Sequence, residues 1–145
     1  MIIPDKVATV GNAAFWGCNG FNGYLLLGEA LKIVRGAAFA QSGYNYDATN
    51  VSARYRSYAK HLNFSKVYCK ALTPPTVRYS ETTLSDKNEY PDFGDYLYQD
   101  QMSSFGVALF DEGLLPNLIV QIGRISAYQS SNWGDIFELI EEGNF

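Results

Sequence analysis

Histidine is nearly absent. His61 is the only one in 145 residues. A two-histidine metal site or a paired-histidine phosphodiesterase is therefore excluded within one subunit. Cysteine is scarce too: Cys18 and Cys69 form no C-x-x-C pair, and two cysteines in a chain of this size exclude a disulfide miniprotein. Two reduced thiols of a cytosolic protein are the expectation, with one disulfide between them as the alternative. Long apolar runs are missing. The longest aliphatic one is Leu25-Leu26-Leu27, against roughly 20 residues for a spanning helix. Met1-Ile2-Ile3-Pro4-Asp5-Lys6 has neither a basic n-region nor an apolar h-region. No membrane association and a cytoplasmic location are expected. H-E-x-x-H, G-x-S-x-G and the P-loop are all lacking. An enzyme is not expected, nor is a cofactor. A Cys–His dyad of His61 with Cys18 or Cys69 is the one catalytic alternative, resting on residue identity alone.

Aromatics and asymmetric charge are what the chain does have. It carries 11 Tyr and 9 Phe, and hydrophobic residues make up 47%. That supports one packed domain over residues 1–145. The net charge is -4. Residues 1–80 hold nine Lys/Arg against Asp5, Glu29 and Asp47, a balance of +6. Residues 81–145 hold Lys87 and Arg124 against twelve acids, a balance of -10. Such a split suits an anionic ligand, or pairing of the halves within or between subunits. From Arg54 to Arg78 there are six cations and no acid, interleaved with Tyr55, Tyr58, Phe64 and Tyr68. Cations meet phosphate oxygens and rings stack on bases, so a nucleotide-like ligand fits. A solvated face pairing with the acidic half is the plain structural alternative. A pI near 4.9 argues against duplex nucleic acid.

The periodicities predict an α+β single domain, an antiparallel sheet of about five or six strands with two helices, and no internal repeat. Leu27, Ala30, Leu31 and Val34 predict a helix over 24–35 ended by Gly36. Strands are expected near 37–44, 51–59 (where a helix fits nearly as well), 65–72 and 76–80. Residues 80–103 read as a loop or flap. Strands at 105–110, 118–122 and 124–128 follow. A final helix spans about 133–142, capped by Asn132, with Trp133, Ile136, Phe137 and Ile140 on one face.

Two stretches resemble a known family. The first is Gly28-Glu29-Ala30-Leu31-Lys32-Ile33-Val34-Arg35-Gly36 with Ser42-Gly43-Tyr44-Asn45. The second is Pro116-Asn117-Leu118-Ile119-Val120 with Gly123-Arg124-Ile125, Tyr128, Ser130-Ser131 and Asp135. They resemble the helix-then-Gly-Trp-Asn opening and the closing pattern of the small phage proteins called Thoeris anti-defence two, with Tyr44 at the tryptophan position. The resemblance implies an oligomeric sponge that sequesters cyclic nucleotide signals in the host cytoplasm without cleaving them. The residues and the resemblance together nominate Tyr44, Asn45, Arg54, Tyr55, Arg56, Lys60, Ser131 and Asp135 as ligand-binding. The alternative is a protein-directed inhibitor whose acidic second half (the Glu81–Asp100 flap and the last helix) meets a basic partner.

Overall fold

The computed structural model describes residues 1–15, 18, 20, 23–36, 38–39, 41–44, 57–60, 64–78, 104–105 and 117–145. In chain order the strands are β1 (Ile2–Ile3), β2 (Thr9–Val10), β3 (Tyr24–Leu27), β4 (Ile33–Val34), β5 (Gln41–Tyr44), β6 (Ser57–Lys60), β7 (Lys66–Cys69), β8 (Thr76–Val77) and β9 (Asn117–Gln121). Two helices, α1 (Ile125–Gln129) and α2 (Asn132–Ile136), precede the last strand, β10 (Ile140–Gly143).

The expected antiparallel sheet is overturned. A five-stranded sheet runs β1-β3-β7-β9-β10 and a three-stranded sheet runs β2-β4-β8. Every pairing in both is parallel. The architecture is α/β-like, and among the described residues only the separate β5–β6 pair is antiparallel. From β1 to β4, and again at β7 and β8, the chain places one short strand in each sheet before advancing, whereas β9 and β10 both join the larger sheet. Successive coils therefore stack, and neighbours in a sheet come from different coils.

An internal repeat follows, which the sequence reading did not find. Ile3 pairs with Leu27 and Val10 with Val34, and two hydrogen bonds between the same coils also span 24 residues. Val10-Gly11-Asn12-Ala13-Ala14-Phe15 returns as Val34-Arg35-Gly36-Ala37-Ala38-Phe39. The turn after β1 closes with the Val7 N–H on the Pro4 carbonyl. The turn after β3 closes likewise, Leu31 N–H on Gly28 carbonyl. The ladder continues past the strands, with Phe15 N–H donating to Ala38 O and Phe39 N–H to Ser104 O, each at 2.8 Å. This coil length and layout fall within the range of leucine-rich-repeat solenoids, in which no repeat buries its apolar side alone.

The core is a set of columns running along the stack. Ile3, Leu27, Cys69 and Val120 occupy one column by register and are all buried. Val10, Val34 and Val77 form a second. Rings form a third. Phe15 stacks on Phe39 at 5.4 Å, Phe39 on Phe105 at 5.6 Å, and Phe105 meets Trp133 and Phe137 at 5.3 Å.

The helix expected over 24–35 is absent, because its spacing has a second solution. Leu27 ends a strand pointing inward, a turn carries Leu31 inward, and β4 carries Val34 inward. All three are buried. Gly28 sits where this corner crosses the coil below. An added methyl there would lie 2.6 Å from Pro4 C and 2.7 Å from Asp5 Cα. The strand expected at 124–128 is instead α1. The helix expected over 133–142 is α2 followed by β10, with Ser131 and not Asn132 as its cap. Trp133, Ile136, Phe137 and Ile140 are nonetheless all buried, as their spacing demands. β7 alternates as read, with Val67 and Cys69 inward. The calls for 80–103, for 51–56 and for 106–110 lie outside the described residues.

Candidate binding site

Stacked coils are fixed by their columns, so added chain has to leave between them. The second coil continues from Phe39 into β5 and returns through β6 to Phe64 and β7. The third leaves at Arg78 and returns at Ser104. Hydrogen bonds close that exit. The Ser104 N–H donates to the Arg78 carbonyl at 3.0 Å, and the Arg78 N–H donates to Ser104 Oγ at 2.9 Å. Ser104 is fully buried, and its hydroxyl donates to the Val34 carbonyl at 2.8 Å. One side chain thus ties the exit and return of residues 79–103, the acidic stretch, to the second coil.

The nominated ligand residues divide into two groups. Tyr44 and Lys60 lie on β5 and β6, whose register pairs Gln41 with Lys60 and Tyr44 with Ser57. Tyr44 and Ser57 form the last pair. Asn45 and Arg56 are the next residues along the chain, and Arg54 and Tyr55 fall in the same 45–56 connection, outside the described residues. Six of the eight nominees therefore belong to one antiparallel pair and the segment it closes. Ser131 and Asp135 belong to α1–α2. Ser131 Oγ accepts the Trp133 N–H at 3.2 Å and donates to the Tyr128 carbonyl at 2.6 Å, so helix capping accounts for it. Asp135 is exposed in the first turn of α2, where a carboxylate favours the helix dipole.

The Cys69–His61 dyad loses its nucleophile. Cys69 is buried and its sulfur accepts the Tyr128 hydroxyl at 3.2 Å, while the same hydroxyl donates to the Ala71 carbonyl at 2.7 Å. Burial pushes the Cys69 thiol up, away from thiolate, and pushes the Tyr128 phenol up as well. Both cysteines are free, Cys18 half-buried. His61 lies outside the described residues.

Two other features carry polar or apolar surface. A groove of about 610 Å3 opens at the corner between the sheets, lined in part by Glu29, Lys32, Lys70, Leu72, Thr73 and Gln121. The Lys70 ammonium is held by both Asp5 carboxylate oxygens, at 2.8 and 2.9 Å. That hydrogen bond holds the Asp5 carboxyl below the usual carboxylate range. The outward face of the larger sheet carries a ring cluster. Tyr24 meets Tyr68 at 5.9 Å and Tyr68 meets Phe145 at 5.6 Å, both edge-on. Tyr24 is 50% exposed and Phe145 43%. Alternation sets Tyr68 on the outward face of β7, but nothing in the sequence brings Tyr24 and Phe145 to it, because the pairing that aligns them joins distant coils.

Among the described residues no group of three or more His, Cys, Asp or Glu could hold a metal. None of their helices is long and apolar enough to cross a membrane. Among the described residues, the one buried dyad candidate, Cys69, has its thiol held in the neutral form. No family model matches the chain, and no curated protein or solved structure gives a match. The Gly28–Gly36 stretch that carries part of the phage-family resemblance is a turn and a strand.

Proposed function

We propose that this chain is a non-catalytic binding protein, in which a short solenoid displays a ligand-binding segment between β5 and β6. The observation that supports it is the β5–β6 register, which gathers Tyr44, Asn45, Arg54, Tyr55, Arg56 and Lys60 onto one insertion. Arg54, Arg56 and Lys60 with Tyr44 and Tyr55 match a small anionic, nucleotide-type ligand: guanidinium and ammonium groups for phosphate, rings for the base. Insertions from one side of a solenoid are a usual place for recognition. Sequestration without turnover is the accompanying activity, in the host cytoplasm if the chain is phage-encoded.

A thermal-shift screen against cyclic dinucleotides, cyclic trinucleotides and cyclic ADP-ribose isomers tests this. Ligand at 100 times its dissociation constant adds about 2.7 kcal/mol, a rise of several degrees. The Arg54→Ala/Arg56→Ala double variant should lose that rise. A flat panel, or a shift that survives the double variant, refutes the assignment.

A second reading, protein-directed inhibition, is favoured by the partly exposed Tyr24–Tyr68–Phe145 cluster and by the exposed Glu141 and Glu142 on β10, an edge strand of the same sheet. Aromatic anchors with a charged rim suit a basic protein partner. Its association rate would fall steeply with salt. A salt-independent rate would count against it.

A further inference from the structure

The β5–β6 register divides the nominated residues between two faces. Gln41 stands opposite Lys60, Ser42 opposite Ala59, Gly43 opposite Tyr58 and Tyr44 opposite Ser57. Directly opposed residues of an antiparallel pair share a face, and successive residues along a strand alternate. Gln41, Gly43, Tyr58 and Lys60 therefore occupy one face, and Ser42, Tyr44, Ser57 and Ala59 occupy the other. Tyr44 and Lys60, both nominated from the sequence, fall on opposite faces. A small ligand lying on the Lys60 face has Tyr58, not Tyr44, as its aromatic neighbour.

The positions on that face carry the chemistry of one nucleotide unit. Lys60 supplies a cation, and Tyr58, two residues away, supplies an aromatic ring. Two residues along a strand span about 6.8 Å. That spacing is comparable to one nucleotide unit, in which a single ribose separates phosphate from base. Gly43, across from Tyr58, adds no side chain to the face. Gln41, across from Lys60, adds an amide, a group able to donate to phosphate oxygens.

From this register we infer that the binding face of the insertion is the one shared by Lys60 and Tyr58, and that a single nucleotide unit spans the two, phosphate at Lys60 and base on Tyr58. The inference rests on the ligand reading above. It gives that site a face, a stacking residue that the sequence reading did not nominate, and a minimal ligand.

Isothermal titration of the full chain with AMP and with ribose 5-phosphate, the same unit without its base, tests it. Stacking of a base on an aromatic side chain is worth about 5–150-fold in affinity. AMP should therefore bind at least about fivefold tighter than ribose 5-phosphate. Tyr58→Val keeps a strand-forming residue and removes the ring. It should lower the AMP affinity to that of ribose 5-phosphate, whereas Tyr58→Phe should keep the preference. Lys60→Gln should weaken both ligands alike. If circular dichroism shows that Tyr58→Val does not fold, Tyr58→Ile is read in its place. A Tyr58 that only supports the strand pair would, when replaced, weaken both ligands together, and that result overturns the inference. An AMP preference that survives Tyr58→Val overturns it too, as does a wild-type chain that binds the cyclic nucleotides but not AMP. Each of those three outcomes leaves the proposed function standing. A wild-type chain that binds none of these nucleotides refutes the proposed function, and this inference with it.

Discussion

Replacing Phe39 by alanine would test whether the ring column holds the coils together. Phe39 is 1% exposed, between Phe15 at 5.4 Å and Phe105 at 5.6 Å. A buried phenyl removes about 150–250 Å2 from water, which at ~25 cal/mol per Å2 is about 4–6 kcal/mol as an upper bound. Measured Phe→Ala costs of about 3–5 kcal/mol agree. Against a total stability of about 5–15 kcal/mol, that is a large share. The melting temperature should fall by about 10 °C. Phe15 is only half-buried at the end of the column, so Phe15→Ala should cost about half as much. Stacking adds a pairwise term of about 0.5–1.5 kcal/mol, which a Phe39/Phe105 double-mutant cycle isolates. Urea unfolding followed by circular dichroism measures all three. A cost below about 1 kcal/mol for Phe39→Ala, or one no larger than for Phe15→Ala, would refute the columnar account.

Other outcomes follow from single contacts. Ser104→Ala leaves the buried Val34 carbonyl without its donor and should cost about 1–3 kcal/mol by the same unfolding assay. Gly28→Ala collides with the backbone of Pro4 and Asp5 and should lower stability more than the roughly 1 kcal/mol typical of point changes. On the alkaline side, the folded chain keeps protons on Cys69 and Tyr128 that the unfolded chain releases near pH 8.5 and 10. Stability should therefore fall as pH rises above about 8.5, and Tyr128→Phe should flatten the upper part of that decline. On the acid side, the lowered Asp5 pKa gives a contribution present above its unfolded pKa and lost as pH falls through the folded one. Asp5→Asn should remove that dependence, read from midpoints between about pH 5 and 2.

Inward positions were legible in the sequence, and backbone form was not. The spacing of Leu27, Leu31 and Val34 marked them as core, and they are buried. The same spacing suits a helical stripe and a strand–turn–strand corner, so it could not choose between them. Trp133, Ile136, Phe137 and Ile140 repeat the ambiguity, with the first three in or just beyond α2 and the last opening β10. Of the candidate site, the cation and tyrosine cluster was readable as composition. The β5–β6 pairing that joins Tyr44 to the Arg54–Lys60 stretch was not, because the register is set across the intervening residues 45–56.

By itself the sequence determined which side chains of its periodic stretches leave water, how charge is split, and that no histidine pair exists. Burial and charge are properties of single residues and their local spacing. Strand direction, the stacking of coils and the alignment of distant rings were decided only by the tertiary structure. Each strand's partner lies a whole coil away, and residues 79–103 interrupt the third coil between Val77 and Phe105. Only the closed ladder through Ser104 restores the column that Phe15 and Phe39 begin.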